Sequence, residues 1–96
     1  MFLEITHASY INDYMLSLKF NDGAEMTVDL ENELNGSVFN PLKDKSEFRK
    51  FSIGFNTIEW ENGADFAPEY LCELAISQHK IANEPASNYG KNKLTR

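Results

Sequence analysis

Residues 2–8, FLEITHA, alternate so that Leu3, Ile5 and His7 share one side of an extended chain and Phe2, Glu4, Thr6 and Ala8 the other. That pattern predicts a first strand. The alternation sharpens from Tyr14, with Tyr14, Leu16, Leu18 and Phe20 facing one way and Met15, Ser17 and Lys19 the other. Asn21-Asp22-Gly23 supplies the residue types that tolerate the positive backbone angles of a tight hairpin. Beyond it, Ala24, Met26, Val28 and Leu30 resume the inward face while Glu25, Thr27 and Asp29 point to water. A hairpin with one apolar face requires a second layer to cover it.

The two-residue period is lost over residues 31–47, ENELNGSVFNPLKDKSE, where Asn35-Gly36 and Asn40-Pro41 break regular structure. A short turn or helix followed by a loop is expected there. Ser46 is placed to start a helical turn in which Phe48 and Phe51 anchor on the core while Lys43, Lys45, Arg49 and Lys50 stay solvated. Phe51, Ile53 and Phe55 alternate again, Asn56-Thr57 marks a reversal, and Thr57-Ile58-Glu59-Trp60 gives a fifth short strand ending in Glu61-Asn62-Gly63.

After Gly63 the period changes to that of a helix, with Leu71, Leu74, Ala75 and Gln78 on one stripe and Pro68 suited to a first turn. A helix is predicted over 68–80. Asp65 and Glu69 near its start, and His79 and Lys80 near its end, complement its dipole. From residue 83 the chain, NEPASNYGKNKLTR, is polar and aperiodic, so a disordered basic tail over 83–96 is expected after a single domain over 1–82. The resulting fold class is α+β: one small domain with an antiparallel sheet of four or five strands, short helices and a C-terminal helix.

Charge narrows the function classes. Fifteen acids against nine bases give a net charge of -6, which repels phosphate backbones and attracts basic surfaces. The balance is uneven, with fourteen acids and five bases in residues 1–75 but one acid and four bases in 76–96. Nucleic-acid binding by the isolated domain is therefore disfavoured, although the tail, with Tyr89, Lys91, Lys93 and Arg96, has the composition to touch an acidic surface. A single cysteine, Cys72, excludes an intramolecular disulfide and fits a reducing compartment. With no run of about 18 apolar residues and no charged and apolar regions of a leader at its start, the chain reads as cytoplasmic, with no membrane partner.

Residues that could carry chemistry do not assemble into a site. His7, His79 and Cys72 come from separate elements, so no metal and no cofactor is expected. Cys72 lacks an adjacent base, since His79 is seven residues along the predicted helix. Glu59, Glu61 and Asp65 cluster around Trp60, but on a strand and a turn they form a solvated rim rather than a catalytic acid and base. No nucleophile elbow, phosphate loop or dinucleotide fingerprint is present, and the chain is not expected to be an enzyme. The cations Lys43, Lys45, Arg49 and Lys50 form a candidate basic patch, interleaved with Asp44 and Glu47.

The order DYMLSLKFNDG, TVDL, VFNPLKDKSEFRKFSI and TIEWENGADFAPEYL resembles the DUF2442 family of small bacterial proteins of unknown function, over roughly residues 7–71. Its most specific parts are Phe20 with Asp22-Gly23, Val28-Asp29-Leu30, Phe39 with Leu42, and the cluster Ile58, Trp60, Asn62-Gly63, Ala64-Asp65 and Pro68. The resemblance implies a compact α+β fold with an antiparallel sheet, no established enzymatic activity and no catalytic residues to carry over. It also implies a setting beside another short protein (DUF4160), in arrangements similar to toxin and antitoxin pairs. Some members carry an extra C-terminal helix-turn-helix, for which this chain is expected to be too short.

Two readings of the Trp60 cluster follow. In the structural one, Ile58 and Trp60 pack inward, Asn62-Gly63 turns the chain and Asp65 accepts backbone hydrogen bonds at the helix entrance. In the other, Glu59, Trp60, Glu61, Asn62 and Asp65 form an interaction patch. The functional expectation is a non-catalytic protein-binding module, antitoxin-like, that neutralises a small basic partner. The alternative is a nucleic-acid-associated transcriptional regulator or accessory subunit. The apolar first strand leaves an edge through which a homodimer is conceivable.

Overall fold

The computed structural model describes residues 2–83. Strands β1 (Ile5–Asn12), β2 (Met15–Phe20) and β3 (Glu25–Asp29) form an antiparallel sheet in the order β1-β2-β3. β4 (Ser52–Ile53) and β5 (Ile58–Glu59) form a separate hairpin. Two 3₁₀ turns (Glu31–Glu33 and Asn40–Lys43), a one-turn helix α1 (Lys45–Phe48) and the helix α2 (Pro68–Asn83) complete the α+β architecture. The five expected strands are present, divided between two sheets.

The β2–β3 hairpin follows its alternation. Leu16 pairs with Val28 and Leu18 with Met26 on the inner face; Leu16, Leu18, Phe20, Val28 and Leu30 are buried. Its turn closes through Phe20 N–H to Ala24 O (2.8 Å) and Gly23 N–H to Phe20 O (3.0 Å), with the Asp22 carboxylate accepting from Ala24 N–H (3.0 Å).

β1 departs from its expected alternation. It begins at Ile5 and runs on to Asn12, and its pairing with β2 slips between Ile5 and His7. This bulge inserts one extra residue, so the inward set changes parity from Ile5 to Ala8 and Tyr10, opposite Leu18 and Leu16. His7, expected beside Leu3 and Ile5, is consequently exposed.

Two further expectations are corrected. Asp44, not Ser46, caps α1: its carboxylate accepts from Ser46 N–H (3.0 Å) and Ser46 Oγ (2.8 Å). An aspartate one residue before a short helix outcompetes a serine within it because its charge also meets the helix dipole. Phe55 does not continue the inward set of Phe51 and Ile53. β4 ends after two residues, and the loop that follows leaves Phe55 99% exposed and Ile53 exposed as well. Of the three, Phe51 packs against the core.

The Asp44 cap makes part of the stability pH-dependent. Hydrogen bonds from the Ser46 side chain and backbone hold the Asp44 carboxyl below its ordinary value of 3.8. A depressed folded-state value gives a contribution that is present above the unfolded value and lost as pH falls through the folded one. Asp44→Asn, which keeps a capping oxygen but no charge, should therefore lose less stability than wild type between about pH 5 and pH 2. Urea midpoints at the two pH values check this; parallel losses would remove Asp44 from the acid limb.

Helix α2 lies against β3. Leu71 and Ala75 are buried, and Leu74 and Gln78 half-buried, as the predicted stripe requires. The Gln78 amide accepts from Asp29 N–H and donates to Asp29 O, each at 2.9 Å. A side-chain amide thus occupies the place a further strand would take on the β3 edge. Tyr70, in the first turn of α2, donates to the Glu33 carboxylate, and that bond with partial burial raises the phenol above its ordinary value of 10.0.

The core continues from the sheet through Leu34, Leu42, Phe48, Ile58, Trp60, Ala64 and Phe66 to α2. No helix among the described residues is long and apolar enough to cross a membrane. Of the tail expected over 83–96, Asn83 is instead the last residue of α2, and residues 84–96 lie outside the described residues.

Candidate functional site

The segment from Ile58 to Asp65 forms a tight second hairpin of its own. Trp60 N–H bonds Ala64 O (2.9 Å), Gly63 N–H bonds Trp60 O (3.0 Å), and Glu59 bridges Asp65 in antiparallel fashion. Gly63 adopts φ +93°, where a side chain is strained, which accounts for glycine at the third turn position. Asn62 fixes the turn from both sides, accepting from Ala64 N–H (3.1 Å) and donating to Val38 O (2.8 Å).

Strand alternation then sorts the cluster. Ile58 and Trp60 point into the core, and Thr57, also buried, donates its hydroxyl to Phe66 O (2.6 Å). Trp60 is 5% exposed, its Nε1–H donates to Phe48 O (2.8 Å), and its ring packs near those of Phe48, Phe51 and Phe66. The indole is a core residue. Glu59, Glu61, Asn62 and Asp65 are exposed around it. Asp65 is displaced from its expected role, since α2 starts at Pro68 and Asp65 instead pairs across the hairpin with Glu59.

Cross-strand neighbours on a hairpin sit about 4.5–5.5 Å apart at Cβ, and like charges in that relation are destabilising. Glu59 opposite Asp65 is such a pair, with Glu61 at the adjoining turn. An open groove of about 570 Å³ runs along this rim, lined by Lys50, Ser52, Glu59, Trp60, Glu61, Gly63 and Asp65. A second, of about 320 Å³, shares Lys50, Trp60 and Glu61 with the first and is completed by Pro41, Leu42, Glu47 and Asn62. Sequence reasoning did not place Lys50 or Ser52 beside the acids; the β4–β5 pairing of Ser52 with Glu59 brings them there. Gly54 matters at the same point, because the Glu59 carboxylate lies over its bare backbone, where a Cβ would meet it at 2.0 Å.

Half of the basic patch is ion-paired. Lys45 bonds Asp13 (2.9 Å) and lies over the Tyr14 ring, while Lys50 bonds Glu47 (3.1 Å). Arg49 stacks on Tyr10, its guanidinium carbon 5.0 Å from the ring centre. Lys43 is exposed, and its carbonyl accepts from the Tyr14 hydroxyl. Carboxylates and aromatic faces thus occupy three of the four cations.

Among the described residues no group of three or more His, Cys, Asp or Glu is arranged to hold a metal ion. His7 on β1 and His79 on α2 stay apart in the sequence of elements and are both exposed. Burial pushes the Cys72 thiol up, and the nearby charges of Asp22 and Glu73 push it further, which disfavours the thiolate a nucleophile needs.

A three-stranded meander flanked by a long helix, with a short aromatic-cored hairpin bearing acids on its rim, defines a small α+β domain. The chain belongs to DUF2442, a family of proteins of unknown function, whose profile matches residues 5–77. Its fold is similar to that in a crystal structure of a "putative DNA binding protein" from Nitrosomonas europaea, with a TM-score of 0.72 and 20% identity. That likeness covers 83% of this chain and 53% of the other, so this chain spans about half the length of that protein. No curated protein sequence matches the chain.

Proposed function

We propose that this chain is a non-catalytic, cytoplasmic protein-binding module, antitoxin-like, whose acidic rim receives a small basic partner. The observation that carries this is the Glu59–Asp65 cross-strand pair with Glu61 beside it, three exposed carboxylates along one groove. A lysine or arginine seated between them turns a repulsion within the hairpin into attraction across an interface. The chain's net charge of -6 supports the same reading, since it steers basic partners toward the domain. Exposed charge pairs contribute about 0.2–1 kcal/mol each, so several must act together.

The test is capture from native cells with the tagged 96-residue chain, washed at low and then high salt, with and without nuclease. Wild type should retain a basic protein at low salt, insensitive to nuclease, and Glu59→Lys with Asp65→Lys should release it. Screening over about 8 Å at physiological ionic strength makes the salt sensitivity obligatory. An acidic partner, or binding that ignores salt and the double variant, overturns the reading.

A second reading is supported by the description of the Nitrosomonas europaea protein: an accessory domain of a nucleic-acid-associated regulator. Here it would rest on Lys43, Arg49 and the basic residues beyond Lys80. Nuclease-sensitive retention that disappears on deletion of residues 83–96 would favour it over the first.

A further inference from the structure

Three aspartate or asparagine residues among the described residues are followed by glycine: Asp22-Gly23, Asn35-Gly36 and Asn62-Gly63, each glycine at φ +92° or +93°. Such a pair carries chemistry of its own, because no glycine side chain hinders closure of the following backbone nitrogen on the side-chain carbonyl carbon. Two of the three are held in the same turn. Gly23 N–H donates to Phe20 O and Gly63 N–H to Trp60 O, each at 3.0 Å. Asp22 Oδ1 accepts from Ala24 N–H (3.0 Å) and Asn62 Oδ1 from Ala64 N–H (3.1 Å). Asn62 Nδ2 is tied as well, to Val38 O (2.8 Å).

Asn35-Gly36 is built differently. It lies between the two 3₁₀ turns, and Asn35, Gly36 and Ser37 are all exposed. Among the described residues no acceptor takes the Gly36 N–H and no donor meets Asn35 Oδ1; the Asn35 side chain makes one bond, from Nδ2 to Asn32 O (3.0 Å). Apart from its chain neighbours, no heavy atom lies within 4 Å of where a Gly36 Cβ would stand. The attacking nitrogen and the carbon it would attack are therefore both open to solvent, with a single weak tether on the leaving amide. The flanks are fixed, since Leu34 is buried and Gly36 O accepts from Phe39 N–H (3.2 Å) and Asn40 N–H (2.9 Å).

We infer that Asn35 is a site of spontaneous covalent modification in the folded protein, deamidating through Gly36, while Asn62, with the same following residue, is protected by its turn. The Gly36 nitrogen forms a bond to Asn35 Cγ, the Cγ–Nδ2 bond breaks, and Nδ2 leaves as ammonia with the proton that Gly36 gives up. The product is a five-membered succinimide. Water then adds to one of its two carbonyl carbons and breaks that carbon's bond to nitrogen. Opening at Cγ gives aspartate; opening at the backbone carbonyl gives isoaspartate, with the main chain routed through Cβ and Cγ. The sum is one water consumed and one ammonia released. Either product adds a carboxylate to a stretch that already holds Glu31 and Glu33, and isoaspartate also lengthens the backbone between the fixed points at Leu34 and Gly36. For Asn62 to react, the bonds at Gly63 N–H and Asn62 Oδ1 must first open, and two bonds of ordinary worth slow closure at least about fivefold.

Incubation of the full chain in mildly alkaline buffer, sampled over time and mapped by peptide mass spectrometry, tests this. Acid should appear at position 35 at least about fivefold faster than at position 62, as a mixture of aspartate and isoaspartate, with ammonia released in step. Asn35→Gln, whose ring closure would need an extra carbon, should remove the fast phase of ammonia release and leave the slow one. The same incubation in guanidinium separates structure from sequence: both asparagines precede glycine, so in the unfolded chain the two positions should convert at comparable rates. Equal rates at 35 and 62 in the folded chain, faster conversion at 62, or a preference for 35 that persists unchanged in guanidinium overturns the inference. Asn62→Asp, which keeps the Oδ1 acceptor and removes the slow site, should leave the rate at 35 as in wild type; a changed rate there would also count against two independent sites.

Discussion

Trp60→Ala is expected to cost about 3–5 kcal/mol, a large share of the roughly 5–15 kcal/mol available to a domain of this kind. The indole is buried against Phe48 (ring centres 5.7 Å apart), Phe51 (6.4 Å) and Phe66 (6.1 Å), so its removal opens a cavity where the hairpin, α1 and the approach to α2 meet. Phe48 O also loses the Nε1–H donor it holds at 2.8 Å. Trp60→Phe separates the two effects, because it keeps an aromatic ring and leaves chiefly the unpaired carbonyl, at about 1–3 kcal/mol. Urea unfolding of both variants measures the difference. A cost near zero for Trp60→Ala would return the indole to the surface and reopen its role as an interface anchor. Binding should distinguish the readings too: folded Trp60→Phe should capture the basic partner as wild type does, since the carboxylates around it are unchanged.

Leu71→Ala should cost about 2–5 kcal/mol, because Leu71 is fully buried on the stripe that docks α2 and its loss leaves a cavity beneath the helix. Gln78→Ala should cost less, since its two hydrogen bonds to Asp29 are only part-buried and such bonds are worth about 0.5–1.5 kcal/mol each. Their signatures differ. Gln78→Ala should speed amide exchange selectively at Asp29, the residue whose N–H it accepts, whereas Leu71→Ala should lower protection along the whole of α2. Unchanged exchange at Asp29 would show that the glutamine does not guard the β3 edge. A Leu71→Ala cost below about 1 kcal/mol would show that α2 is not anchored by its apolar stripe.

The β2–β3 hairpin and α2 were legible because each rests on an uninterrupted period: Leu16, Leu18 and Phe20 at two, Leu71, Ala75 and Gln78 at three and four. The bulge in β1 was not. Nothing local distinguishes His7 from an inward residue until Lys19 and Leu18 on β2 claim His7 and Ala8 in succession. Phe55 misled for the same reason, since an aromatic two places after Ile53 looks inward unless the loop's path is known. Of the candidate site, the residue types around Trp60 were visible, but the Glu59–Asp65 opposition and the arrival of Lys50 and Ser52 were not.

Composition and periodicity by themselves established an acidic α+β domain, the hairpin and terminal helix, and a distinctive Trp60 cluster, because hydrophobic burial and turn chemistry act over a few neighbouring residues. Three matters were decided only when distant segments met. Trp60 became core when Phe48 O and three aromatic rings closed over it. The basic patch had two of its four charges paired when Asp13 and Glu47 came within reach of Lys45 and Lys50, while Arg49 was stacked on Tyr10. The β3 edge was covered when α2 folded back over it and the Gln78 amide took both backbone groups of Asp29. Each outcome depends on contacts between residues far apart in the chain, which a sequence pattern read in windows does not contain.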